Sequence, residues 1–149
     1  CAQDLIFSDV NRDTVEVLAR NGCEVVTPPE QSCCGSLHAH NGEWTRAQHL
    51  ARRNIDQFPP EQFDAIITNA AGCGSHLKHY AKLLADDPQY HARAELWDAK
   101  VQDIHEWLVK IGIQPPARGA ARGSWTRNSP AAQTTSLRPC GTAPGSTPG

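Results

Sequence analysis

The sequence predicts an α/β fold: a parallel sheet with flanking helices in one domain, followed by a disordered C-terminal tail. Three observations predict it. Two short apolar runs, Cys23 to Thr27 and Phe63 to Asn69, read as strands. The stretches around them carry apolar residues at helical spacing. Short connections link helix, strand, helix, strand and two further helices, the order of parallel strands joined by crossover helices.

Cys1 to Asp4 is too short to classify. Ser8 is placed to cap a helix from about Asp9 to Asn21, with Val10, Thr14, Val17 and Leu18 along one stripe. Gly22 stops it. Pro28-Pro29 ends the first strand, and Glu30 to Gly42 reads as a loop. Glu43 to Phe58 forms the next helix, with Trp44, Ala47, Leu50, Ala51, Ile55 and Phe58 on its apolar face. Pro59-Pro60 ends it. The run FDAIITN is nearly all apolar, as suits a strand covered on both faces. Ala70 to Gly74 is a turn of small residues. Helical patterns then cover about Ser75 to Ala85, Tyr90 to Lys100 and Val101 to Ile111. Leu96, Trp97, Val101, Ile104, Trp107, Leu108 and Ile111 are core candidates. The division expected is 1–112 for the domain and 113–149 for the tail. The tail is rich in Pro, Gly, Ser, Thr, Ala and Arg and poor in large apolar residues, so burial cannot offset its ordering entropy. Its composition also resembles translation in a shifted frame, and Trp125 and Cys140 inside it read as incidental.

The totals exclude several classes. A net charge of -2 gives no electrostatic basis for binding nucleic acid or an anionic membrane. No run reaches the roughly 18 apolar residues of a membrane span. No glycine-rich dinucleotide fingerprint, P-loop or Gly-x-Ser-x-Gly occurs, so no flavin or nucleotide is expected on this chain itself. The chain has no Met and opens on Cys1, and no strand precedes its first helix. From these features the domain is expected to be a fragment truncated at its start.

The chemistry is carried by cysteine. Six cysteines in a 149-residue chain of alternating helices and strands do not suggest a disulfide scaffold. Adjacent Cys33 and Cys34 are also poorly placed to bond each other. Cys33-Cys34-Gly35 follows one strand and Cys73 follows the other. Ligands gather beyond the carboxyl ends of parallel strands, so these turns are expected to be neighbours. Cys1 stands before the first helix. Cys1, Cys33, Cys34 and Cys73 thus form a candidate set of four thiolates, enough for one iron–sulfur cluster. Zinc is an alternative user of the same sulfurs, although no Cys-x-x-Cys pair is present. Cys23, inside a strand, reads as a packing residue. His38 and His40 flank the cysteine pair, and His76 lies three residues after Cys73. His49, His79, His91 and His105 read as surface positions.

The runs GCEVVTPPEQSCCGSLHAHNG, ARRNID and DAIITNAAGCGSHLKHY resemble the cysteine-rich CCG domain, over about Cys1 to Gly112. They are most similar to the form in the iron–sulfur subunit of glycolate oxidase (glycolate dehydrogenase). Related domains occur in heterodisulfide reductase and lactate-utilisation proteins. Cys1-Ala2-Gln3 matches the end of the family's Gly-Cys-x-Gln-type turn, Cys33 and Cys34 its cysteine pair, and Cys73 its final cysteine. Where some relatives carry a Cys-x-x-Cys ending, this chain has His76. The resemblance implies an electron-transfer subunit whose iron–sulfur cluster, of 4Fe-4S type, is held by those four cysteines. It further implies FAD on a flavin-containing partner subunit, glycolate oxidation there, and quinone or another membrane electron acceptor. The location implied is cytoplasmic, with peripheral attachment to the inner face of the cell membrane as a further option. Outside that implication, a zinc-bound or metal-free module that docks a partner is the rival reading.

Overall fold

The structure, a computed structural model, describes residues 2–113 and 134–138. Helix α1 (Ala2–Ile6) leads into α2 (Ser8–Arg20), β1 (Glu24–Val26), α3 (Ser36–His40) and α4 (Trp44–Gln57). After a 3-10 turn at Pro60–Gln62 come β2 (Ala65–Thr68), α5 (Ala71–Leu77), α6 (Tyr80–Leu83) and α7 (His91–Lys100). Strand β3 (Val101–Asp103), α8 (Ile104–Ile111) and β4 (Thr134–Arg138) complete the order.

The sheet runs β1-β4-β2-β3. β2 and β3 are parallel, with Ile66 opposite Val101. β4 lies antiparallel to both β1 and β2, so β1, β2 and β3 all point the same way. Their carboxyl ends share one rim. Alternation along β2 sends Ile66 to one face and Ala65 and Ile67 to the other, and all three are fully buried. One face packs Ile66 against Ile55, Phe58, Leu77, Tyr80, Leu84 and Trp97. The other packs Ala65 and Ile67 against Leu18, Cys23, Trp107, Leu108 and Leu137. The parallel strands flanked by helices match the expectation, as does Cys23 as a core residue.

The differences have local causes. Ser8 does not cap α2; Phe7 holds the N-cap position and no side chain caps it. Val10 is exposed while Asn11 is buried, so the stripe of α2 turns toward a polar contact rather than following apolar residues alone. Trp44 is 58% exposed, because it opens α4 ahead of the buried stripe of Ala47, Leu50, Ala51 and Ile55. The helical pattern at Val101 to Ile111 hides a third strand. Asp103 starts α8 with a capping box, accepting from the His105 N–H while Glu106 accepts from the Asp103 N–H. The sequence Asp103-Ile104-His105-Glu106 carries that signal, and Val101 before it is left free to pair with Ile66.

The tail expectation also differs at Thr134–Arg138. These five residues form a strand whose Leu137 is fully buried among Ala65, Ile67 and Trp107. Composition taken over the whole segment obscures one short run with a single large apolar residue. The rest of that expectation, at 114–133 and 139–149 with Trp125 and Cys140, lies outside the described residues.

Candidate metal centre

Cys33 and Cys34 lie in the connection leaving β1, and Cys73 lies in the first turn of α5 leaving β2. The shared direction of the two strands brings these turns to one rim. Cys34 is buried, Cys33 and Cys73 are half-buried, and all three are free thiols. Gly35 holds a left-handed conformation at φ 87°, which ends the pair and starts α3. Its N–H donates to Cys33 Sγ at 3.5 Å. Gly74 allows α5 to close on the end of β2: a Cβ there would stand 2.8 Å from Thr68 Cγ2.

The thiols act on one another. A hydrogen bond between Cys34 and Cys73 raises the Cys34 pKa, and burial raises it further. The same hydrogen bond lowers Cys73 from 9.0 to about 7, against the opposing effect of burial. The first proton to leave therefore leaves Cys73, and Cys34 keeps its own and donates it to the new thiolate. In the metal-free chain, iodoacetamide should label Cys73 with a half-maximal rate near pH 7, as the thiolate forms on raising pH. Unfolding should move that midpoint up toward 9.0. Peptide mapping of the labelled chain between pH 6 and 10 checks this, and a folded-state midpoint no lower than the unfolded one would refute it.

A buried polar frame holds the pair. The Tyr80 hydroxyl donates to the Cys34 carbonyl at 2.7 Å and accepts from Asn54 Nδ2 at 2.9 Å. Asn54 Nδ2 also donates to the Cys33 carbonyl at 3.0 Å, and Ser32 Oγ donates to Asn54 Oδ1 at 2.9 Å. Tyr80 is fully buried, and its ring stacks on Trp97 with centroids 5.5 Å apart. Burial raises the Tyr80 pKa well above 10.0, which keeps the hydroxyl a donor. Tyr80→Phe should destabilise the chain by about 1–3 kcal/mol, because the Cys34 carbonyl and Asn54 amide lose a buried partner. Urea unfolding measures it.

A second polar chain ties the turn before Cys73 to the amino-terminal helices. Asn69 Nδ2 donates to Asn11 Oδ1 at 2.8 Å and Thr14 Oγ1 at 2.9 Å. Asn11 Nδ2 in turn donates to Asp4 Oδ1 at 2.6 Å. Cys1 lies outside the described residues. Of the four cysteines expected together, the structure thus brings together Cys33, Cys34 and Cys73.

The framing residues Asn54, Tyr80, Asn69 and Asn11 were not singled out from the sequence. A signal existed for Asn54, a polar residue in register with the apolar stripe of α4. Tyr80 likewise falls in the 77, 80, 84 register of buried residues. Among the histidines, His38 pairs with Glu43 at 2.8 Å. His76 packs edge-on against Tyr80, and burial followed by the nearby His40 and His79 lowers its pKa.

The donor chemistry fits an iron–sulfur group: three thiols from two turns, one of them readily ionised. Cys34 and Cys73 are hydrogen-bonded, and the cavity beside them holds only about 10 Å³. Among the described residues no group of three or more His, Cys, Asp and Glu side chains is arranged to hold a single metal ion. An iron–sulfur cluster would be held by cysteine thiolates, for which Cys33, Cys34 and Cys73 are the candidates here, and would supply electron transfer.

Parallel strands ending in thiol-bearing turns at a common rim define a cysteine-rich α/β domain. The family model described as a cysteine-rich domain, CCG, matches residues 1–78. The chain belongs to that family. It is 43% identical over 111 residues to a probable glycolate oxidase iron-sulfur subunit of Bacillus subtilis (strain 168), covering 74% of this chain and 25% of that protein. It is 33% identical over 111 residues to lactate utilization protein A of Shouchella clausii (strain KSM-K16), covering 74% and 46%. Against lactate utilization protein A of an Exiguobacterium species (strain ATCC BAA-1283 / AT1b) the identity is 30% over 130 residues, covering 83% and 53%. The chain therefore spans from a quarter to about half the length of these relatives. No solved structure matches it.

Proposed function

We propose that this chain is an iron–sulfur electron-transfer part of an oxidoreductase acting on a short 2-hydroxy acid. The observation that carries this is the meeting of Cys33, Cys34 and Cys73 from two separate strand ends. Cys1 is the proposed fourth ligand; Asp4, three residues on, is tied through Asn11 to Asn69 before the Cys73 turn, which supports it. The names of the relatives, an iron-sulfur subunit and lactate utilization proteins, support the metal and the substrate class. When bound, a 4Fe-4S cluster would supply one-electron transfer. The chain's own contribution is to hold the thiols through Tyr80 and Asn54 and to bury Cys34, which limits water at the sulfurs.

Glycolate is the proposed substrate of the whole enzyme, oxidised on FAD in a flavin-containing partner subunit. A quinone or another membrane electron acceptor takes the electrons, at the inner face of the cell membrane. Among the described residues no helix is long and apolar enough to cross a membrane. Lactate is the second reading of the substrate, favoured by the similarity to the lactate utilization proteins.

The test is anaerobic preparation of the full chain with iron and sulfide. The expected result is broad brown absorbance and roughly four irons per chain, matching four thiolates. Stoichiometric zinc with no iron uptake would instead establish a zinc module.

A further inference from the structure

A separate cleft of ≈590 Å³ opens among α3, α4, α5 and α6. Its size lies within the range of about 300–1,000 Å³ usual for small-molecule sites. Trp44 and Leu83 supply apolar wall, while His40, His76, His79 and Lys82 supply nitrogen. No carboxylate lines it. Glu43, next to Trp44, is engaged by His38, and Asp98, behind the start of α6, accepts from the Tyr80 and Ala81 N–H groups.

The nitrogens differ in access. His79 Nδ1 donates to the Ser75 carbonyl at 2.6 Å, which leaves its Nε2 free of that bond. His76 Nε2 is buried with no hydrogen-bond partner among the described residues. Lys82 has no ion-pair partner among them either. The architecture is fixed by the main fold: Gln48 Nε2, on α4, donates to the Leu83 carbonyl at 3.1 Å. Trp44, the single Trp, Tyr or Phe of α4, stays 58% exposed beside the cleft and does not enter the core.

These features select a ligand. A wall of imidazole and ammonium groups with no acid favours an oxyanion. Apolar surface in the same lining, including an open indole, favours a flat ring. The volume exceeds what a short hydroxy acid fills. We propose that this cleft binds an aryl carboxylate, its ring on Trp44 and Leu83 and its carboxylate against His79 and Lys82. The proposal does not depend on the cluster, and it can fail or stand without touching that reading.

The probe is 2-naphthoate, titrated into the full metal-free chain by calorimetry, with neutral 2-naphthylmethanol as its isostere. Saturable binding at one site is expected, with the alcohol weaker by about tenfold or more because it offers no charge. Lys82→Met and Trp44→Ala should each weaken naphthoate by about three- to tenfold, and Lys82→Arg should retain most of the affinity. Both residues are exposed, so circular dichroism should be unchanged. Failure to saturate at millimolar naphthoate, equal binding of the alcohol, or indifference to both substitutions would overturn the proposal. Repeating the titration on iron-loaded chain separates it from the metal centre: affinity in both forms is the expected result.

Discussion

Cys73→Ser is expected to abolish stable iron loading of the anaerobically prepared chain and, with it, the broad visible absorbance. A serine hydroxyl stays protonated near neutral pH and is a much poorer iron ligand than a thiolate. The same substitution removes the hydrogen-bond partner that holds Cys34 protonated, so the metal-free dithiol chemistry disappears too. Folding should survive, since Cys73 is only half-buried. The informative control is Cys23→Ala. Cys23 is 6% exposed and packs on the opposite face of the sheet, with Leu18 and Leu137. It should lower stability and leave iron binding intact. Iron and sulfide assays on the three proteins decide the matter. Stoichiometric iron in Cys73→Ser would remove Cys73 from the ligand set, and loss of iron in a folded Cys23→Ala would show that the assay reads core packing rather than ligation.

Trp97→Ala is expected to be the most damaging single change to the fold, at about 3–5 kcal/mol by analogy with other large-to-small core substitutions. Trp97 is fully buried between Phe58, met edge-on at 6.3 Å, and Tyr80, stacked at 5.5 Å. Its indole N–H donates to the Leu77 carbonyl at 3.1 Å, and that carbonyl would be left without this donor. The loss should reach the thiols as well, because Tyr80 leans on Trp97 and holds the Cys34 carbonyl. Urea unfolding of the metal-free chain gives the magnitude. A change below about 1 kcal/mol would mean that the cavity closes by rearrangement. Given that cost, Trp97→Phe is the more useful variant for asking whether the cysteine pair loosens.

Much of the site was legible in the residues. Cys33-Cys34-Gly35 and the run from Asn69 to Gly74 each follow an apolar stretch bounded by breakers, and both do leave parallel strands at one rim. Gly35 was readable as a turn residue, and it does hold a positive φ. Less legible was whatever depended on residues distant in sequence. Nothing near Cys33 announces that Asn54 and Tyr80 will bond its carbonyl and that of Cys34, across sequence separations of 21 and 46 residues. Helical periodicity at Val101 to Ile111 outweighed a three-residue strand that only its pairing with β2 makes visible. Trp44 was placed in the core because it fits the stripe of α4, yet it stands at the edge of a cleft that α3 and α6 complete.

By itself the sequence determined the local alphabet of this protein. Apolar period, proline and glycine breaks and cysteine adjacency are set by neighbouring residues, so β1, β2, most helices and the two thiol-bearing turns could be read in place. The tertiary structure alone decided which thiols meet, which of them ionises first and what frames them. Each of those depends on contacts between α4, α5, α6 and the strand ends, groups brought together only when the sheet is buried on both faces. A thiol's proton affinity follows from burial and from the neighbour that shares its hydrogen bond, and neither exists in the extended chain.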